Sequence, residues 1–228
     1  MNALALTALA ACIDHTLLKP DATALDIDRL CEEAIAHRFF SVCVHGSRVI
    51  RAADRLENSP VKVTCVVGFP LGAAEGDVKR YETEVAVDHG AAEIDMVMNI
   101  GRFKDGEFAV VLREIRDVVE AADERPVKVI LETSLLTLDE ITKACQLAEE
   151  GGAKFVKTST GFGTVGATLE GVRHMRSVVS PEMGVKASGG IRDFDMAFAM
   201  IQAGATRLGT SSGIAILEGI KPVPQSTD

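Results

Sequence analysis

Short runs rich in Val and Ile alternate with longer stretches of helical period along the chain, and this alternation constrains the fold more than any other feature. Eight runs carry the strand pattern: 12–15, 40–44, 61–67, 93–98, 127–131, 154–157, 184–186 and 207–209. The segments between them read as helices over 25–37, 46–56, 74–89, 108–122, 138–150, 169–179 and 193–203, with a short last helix beginning in 211–217. The stretch 108–122 sets Val111, Leu112, Ile115, Val118 and Val119 on one stripe, and 138–150 stops at Gly151-Gly152. Eight strand–helix units in 228 residues fit one α/β domain, a single (β/α)8 TIM barrel. The rival, a doubly wound open sheet, usually has fewer strands and opens on a Gly-x-Gly-x-x-Gly turn that the first unit lacks.

The pattern holds over 1–220 without a linker or a low-complexity segment, which leaves 221–228 as a polar, loose tail. The apolar run from Ala3 to Ala11 resembles a signal-peptide core but lacks a basic region before it, and a strand-like segment follows at once. It reads as an additional N-terminal helix covering one barrel end. No run is long enough to span a membrane. Aromatic residues make up 4% of the chain with no Trp, so the core must be built from Val, Ile, Leu, Ala and Met. A net charge of -9 argues against nucleic acid as a partner while leaving room for a local basic pocket that holds an anionic metabolite. Five cysteines form no C-x-x-C pair and the histidines show no zinc spacing. Free thiols in a reducing cytosol follow, so the expected location is cytoplasmic, with no metal and no cofactor.

Barrel chemistry sits at the C-terminal ends of the strands. Reading only those ends gives Asp14, Asp95, Lys157 and Lys186. Lys157 ends strand six and Lys186 ends strand seven, each opening a loop of Ser, Thr or Gly. Adjacent strands lie roughly 4.8 Å apart. Two ammonium groups held that close cannot both stay comfortably charged, so one is expected to release its proton near neutral pH and become an amine nucleophile for a carbonyl. The plainer reading makes both surface lysines at loop starts; their placement on adjacent strands favours chemistry. In the strand 93–98, period two sets Glu93 and Asp95 on one face and Ile94, Met96 and Met98 on the other. The carboxylates then face the interior, where they need cationic partners. Asp95 is a proton shuttle beside the lysines on one reading and a structural ion pair on the other. Strands three, five and seven each carry a lysine, with Lys62 near a strand start, Lys128 midway and Lys186 at an end. Two glycine-rich loops, Ser188-Gly189-Gly190 and Gly209-Thr210-Ser211-Ser212-Gly213, have the composition of an oxyanion cradle, the second leading into a helix; tight turns would have the same composition. Gly68-Phe69-Pro70-Leu71-Gly72 reads as a pocket rim or as a structural turn.

Five motifs in this order resemble the deoxyribose-phosphate aldolase family over nearly the whole chain: Ile13-Asp14-His15-Thr16-Leu17-Leu18-Lys19-Pro20, Val67-Gly68-Phe69-Pro70-Leu71-Gly72, Glu93-Ile94-Asp95-Met96-Val97, Phe155-Val156-Lys157-Thr158-Ser159-Thr160-Gly161-Phe162 and Val185-Lys186-Ala187-Ser188-Gly189-Gly190-Ile191-Arg192. The resemblance implies a class I aldolase, a lyase that reversibly cleaves 2-deoxy-D-ribose 5-phosphate to D-glyceraldehyde 3-phosphate and acetaldehyde in deoxyribonucleotide catabolism. It implies Lys157 as the Schiff-base lysine, with Lys186 depressing its pKa and sharing proton transfer with Asp95. Asp14 would stand near the substrate hydroxyls. Thr158, Ser188, Gly189, Gly190, Gly209, Thr210 and Ser211 would lie around substrate and phosphate. The sequence does not fix the oligomeric state; a homodimer is compatible with a barrel of this kind. Phe162 stands where some members carry a phosphate-contacting lysine, and the end of strand two reads Cys43-Val44-His45-Gly46 where Asn-Pro usually follows Cys-Val. His45 there reads as a solvated loop histidine. The tail lacks the C-terminal tyrosine of some longer members. Two other readings remain open: another Schiff-base aldolase of transaldolase type, or a barrel that isomerises sugar phosphates without a covalent step.

Overall fold

The computed structural model describes residues 3–219. Eight parallel strands close in sequence order into a barrel: β1 (Ile13–Thr16), β2 (Ser41–His45), β3 (Lys62–Val67), β4 (Glu93–Val97), β5 (Val127–Ile130), β6 (Phe155–Lys157), β7 (Gly184–Ser188) and β8 (Arg207–Thr210). Around them run α1 (Ala3–Ala10), α2 (Ala24–His37), α3 (Val49–Leu56), α4 (Gly76–Asp88), α5 (Ile100–Lys104), α6 (Phe108–Ala121), α7 (Leu138–Glu150), α8 (Leu169–Val178), α9 (Phe194–Gln202) and α10 (Gly213–Glu218). The barrel and its extra N-terminal helix match the expected fold, whereas the tail expected at 221–228 lies outside the described residues. Among the described residues, no helix is long and apolar enough to cross a membrane.

Local chemistry fixes several helix starts. Thr23 caps α2 and Thr137 caps α7, each in a reciprocal box with Asp26 or Glu140 three residues on. The segment expected as one helix over 46–56 begins instead as a 3-10 turn, Gly46–Arg48, the tighter form common at helix N-termini. Two short elements escaped the periodicity, α5 and the 3-10 turn Thr133–Leu135; both are too brief for a 3.6-residue period to register.

The interior is the fold's functional peculiarity. Barrels ordinarily fill their centre with branched apolar side chains. Here Ile13, Val42, Val44, Ile94, Met96, Val129, Val156, Val185 and Leu208 join the apolar core with the helices. The alternate positions of the same strands carry Asp14, Ser41, Glu93, Asp95, Lys128, Lys157, Lys186 and Arg207, all buried and bonded to one another across the barrel. Burying this much charge is tolerable only because each group finds partners of opposite sign.

Candidate active site

Strand register builds the site. Lys157 and Lys186 are direct partners across β6 and β7, and Asp95 pairs with Lys128 across β4 and β5. Parallel neighbours in register point the same way, so both pairs turn inward together. Asp95 becomes the hub: its Oδ2 accepts from Lys157 Nζ at 2.8 Å and Lys186 Nζ at 2.7 Å, and its Oδ1 accepts from Lys128 Nζ at 2.7 Å. Lys186 also donates to Asp14 Oδ2. Asp14 Oδ1 accepts from Ser41 at 2.8 Å and from Arg207 at 2.9 Å, and Arg207 reaches on to Glu93 at 3.0 Å. Lys128 closes the circuit on Glu93 at 2.7 Å. The Arg207 guanidinium lies over the Phe40 ring, 3.5 Å from its centroid, and floors the network. Gly209 is a necessary blank in this layer, since a Cβ there would stand 3.0 Å from the Lys186 stem and from Ser188.

Above the network opens a cavity of about 290 Å³. Of the seven charged residues in the network, only Lys157 lines it. Its far wall is Ser188, Gly189, Gly190, Gly209, Thr210 and Ser211, and two cations, Lys19 and Arg192, also line the cavity. Gly189 and Gly190 both take positive φ, at 86° and 80°, which turns the backbone in a way side-chain residues resist. Thr210 Oγ1 donates to Ile191 O at 2.7 Å and accepts from Ser212 N, so the two glycine-rich loops are laced together and one amide at the start of α10 is already engaged. Across the mouth runs an aromatic string. Phe162 meets Phe69 edge-on at 5.3 Å, and Phe69 meets His45 at 5.7 Å.

The network sets its own ionisation. Burial would raise the Asp14 carboxyl, but Lys186, Lys128 and Arg207 overcome it and hold the group at about 2. Burial acts likewise on Asp95 and is overcome by Lys128, Lys157 and Lys186, which keep it well below the usual carboxylate range. Lys186 is pushed down by burial and up by Asp14 and Asp95; the carboxylates win, and it sits above the ordinary ammonium range. Two neighbouring lysines alone would repel each other. The structure inserts a carboxylate between them and fixes Lys186 as the charged partner.

Placement of the expected residues is uneven. Lys157, Lys186 and Asp95 meet at one point, and Ser188, Gly189, Gly190, Gly209, Thr210 and Ser211 line one wall. Two differ from expectation. Asp14 is fully buried against Lys186, Arg207 and Ser41 and has no face on the cavity, because β1 runs two residues further, to Thr16, and Thr16, Leu17, Leu18 and Lys19 line the cavity instead. Thr158 is buried too, its hydroxyl donating to Ser188 O at 3.1 Å and accepting from Ser188 N at 3.0 Å, a clamp between β6 and β7. His45 is also not a free loop histidine: its Nε2 donates to Leu18 O at 3.0 Å. Lys62 is exposed, as its place near a strand start predicts. The sequence reading gave no role to Arg207, Lys19 or Arg192. Arg207 opens a strand and carried no end-of-strand signal. Lys19 and Arg192 follow strands one and seven within a few residues, a spacing that could have marked them.

The chain matches the model of the DeoC/LacD family of aldolases over residues 8–219. It is 56% identical to a deoxyribose-phosphate aldolase of Thermococcus gammatolerans over 217 residues, 93% of this chain and 96% of the relative. Among solved structures, a candidate deoxyribose-phosphate aldolase from Coccidioides immitis superimposes with a TM-score of 0.91 at 44% identity, covering 93% of this chain and 85% of that one. A tetrameric deoxyribose phosphate aldolase from Aeropyrum pernix superimposes with a TM-score of 0.87 at 37% identity, covering 92% and 89%.

Proposed function

This chain belongs to the DeoC/LacD family of aldolases, and from that premise we propose that it cleaves 2-deoxy-D-ribose 5-phosphate reversibly to D-glyceraldehyde 3-phosphate and acetaldehyde through a Schiff base on Lys157. The observation that carries the residue assignment is that Lys157 alone, of a seven-membered charged network, opens onto the cavity. Four cationic side chains there meet three carboxylates, so an uncharged amine at Lys157 leaves the buried network balanced.

The Lys157 amine attacks C1 of the open-chain sugar, and loss of water from the carbinolamine gives an iminium. The iminium withdraws electrons as the C3 hydroxyl releases its proton and the C2–C3 bond breaks. Glyceraldehyde 3-phosphate departs. The remaining enamine takes a proton at C2, and water releases acetaldehyde. Asp95 and Lys186, hydrogen-bonded behind Lys157, form the relay that supplies and removes protons. Ser188, Gly189, Gly190, Gly209, Thr210 and Ser211, with Lys19 and Arg192, bind the phosphate, with backbone amides and cations sharing its charge. Asp14 acts from beneath by holding Lys186. We further infer a homodimer as the working assembly, self-association being favoured by the tetramer of the Aeropyrum pernix relative. The cytoplasm is the compartment favoured by five unpaired thiols, four of them buried.

Borohydride added with acetaldehyde tests the covalent step. Reduction should convert Lys157 to N-ethyl-lysine, a net gain of C2H4, and Lys157→Ala should lose both the adduct and turnover. An isomerase acting without a covalent step would trap nothing, and an adduct on another lysine would overturn the assignment.

A further inference from the structure

We propose that Glu132 is a positioning residue for sugar-phosphate recognition, acting through the loop that follows the nucleophile strand; the inference rests on the aldolase reading above. Glu132 follows β5, at the barrel's C-terminal end, yet it does not line the cavity. Its backbone is left-handed, with φ 53° and ψ 63°, a conformation that residues with a side chain seldom adopt and glycine enters freely. A carboxylate kept in so unfavourable a backbone position, and only 5% exposed, has to be justified by what its side chain holds.

What it holds is the near end of the loop between β6 and α8. Glu132 Oε2 accepts from Thr160 N at 3.2 Å and from Thr160 Oγ1 at 2.5 Å. Thr160 Oγ1 in turn accepts from Phe162 N at 3.1 Å. One carboxylate oxygen thereby sets three consecutive positions, Thr160, Gly161 and Phe162, and all three line the cavity three to five residues beyond Lys157. The loop's far end is fastened separately: Ala167 N donates to Ser188 O and Gly189 O at 3.0 Å, and the Gly166 backbone packs on Gly189 so closely that a Cβ at Gly166 would stand 2.1 Å from Gly189 O. The loop is therefore pinned at one end to the phosphate-side glycines and at the other to Glu132. The second carboxylate oxygen, Oε1, has no protein partner and faces Gly163, where a Cβ would stand 3.2 Å away. A buried carboxylate with one oxygen unmatched is costly where only stability is at stake. The loop it positions packs directly on the Ser188–Gly190 segment, with Gly161 Cα 3.6 Å from where a Gly189 Cβ would stand, so releasing the loop should loosen the grip on the phosphate end and leave the Lys157 amine in place.

The test compares 2-deoxyribose 5-phosphate with 2-deoxyribose in Glu132→Gly, which relieves the backbone and removes the tether. KM for the phosphorylated sugar should rise about tenfold or more, the worth of one lost hydrogen bond to a charged group, with kcat within about threefold and a smaller KM change for the free sugar. Glu132→Gln keeps an acceptor oxygen and should retain the parent KM within about threefold. If Glu132→Gly fails to fold, Thr160→Val cuts the same tether from the other side and should raise KM alike, and Thr160→Ser should restore it. An unchanged KM, or equal losses with both sugars, overturns the proposal. Borohydride trapping with acetaldehyde is run beside each variant: its absence in the unaltered enzyme strikes the aldolase reading, whereas retained trapping with an altered KM isolates the loop.

Discussion

Among the described residues two places bury lysine, and they behave differently. Between α4 and α6, Lys79 is wholly enclosed and donates to Glu114 Oε1 at 2.8 Å, Gly72 O at 2.7 Å and Val97 O at 2.9 Å. Three donors meet three acceptors, and one cation meets one carboxylate. Even so, burial prevails over attraction: it pushes Lys79 below the usual ammonium range and Glu114 above the usual carboxylate range. In the barrel interior the outcome reverses. Each buried group there except Lys157, which pairs with Asp95 alone, has two or three partners of opposite sign, and Asp14, Asp95 and Lys186 are all held ionised. A closed pair ties three backbone segments together. An open network, with one amine on a cavity, can exchange protons and attack a carbonyl.

The sharpest way to break this contrast is at the hub. Asp95→Asn keeps the shape but removes the negative charge shared by three lysine amines. We expect kcat/KM to fall by about 10²–10⁴-fold, the range for losing a positioned proton-transfer group. The complementary change at the closed pair is Lys79→Met. It leaves a buried carboxylate uncompensated and should lower unfolding stability by about 3–5 kcal/mol while kcat of the folded enzyme stays within about threefold. Adding Glu114→Leu should recover much of that loss, because an apolar pair of similar volume replaces a buried ion pair at little cost. Urea midpoints and steady-state rates on the three proteins decide it. A kcat loss for Lys79→Met as deep as that for Asp95→Asn would erase the distinction.

The same contrast explains what could be read from the chain alone. Strand alternation placed Glu93 and Asp95 inward, and the ends of strands six and seven placed Lys157 beside Lys186; register and burial agree. These are short-range facts, carried by period two and by which residue ends a run. Lys79 sits in the first turn of α4 and looks like any solvated helix lysine; its partners come from α6, β4 and the loop after β3, and no local pattern links them. Arg207 escaped for the same reason, since its partners Asp14 and Glu93 are 193 and 114 residues away. Asp14 had the right charge near a strand end, but the strand runs two residues beyond it to Thr16, a boundary that periodicity over so short a run does not fix. Glu132 was invisible because its role depends on a backbone angle that glutamate rarely takes.

The weakest effect separates the two sites by pH. Asp14 is held at about 2 in the folded chain, against roughly 3.9 for a free aspartate, so on acidification the unfolded chain binds its proton first. The stability it contributes is complete above about pH 4 and is lost as pH falls towards 2, on the order of 2 kcal/mol. Glu114 has the opposite sign. Its folded pKa is raised, so the folded chain binds the proton first and stability grows as pH falls towards roughly 4.3, the value for a free glutamate. Asp14→Asn should therefore flatten the decline between about pH 4 and pH 2, whatever it costs at neutrality. Glu114→Gln should leave that decline intact and remove the gain above it. Urea unfolding across a pH series measures both slopes, and a common response of the two variants in either window would mean that the pair and the network titrate as one system.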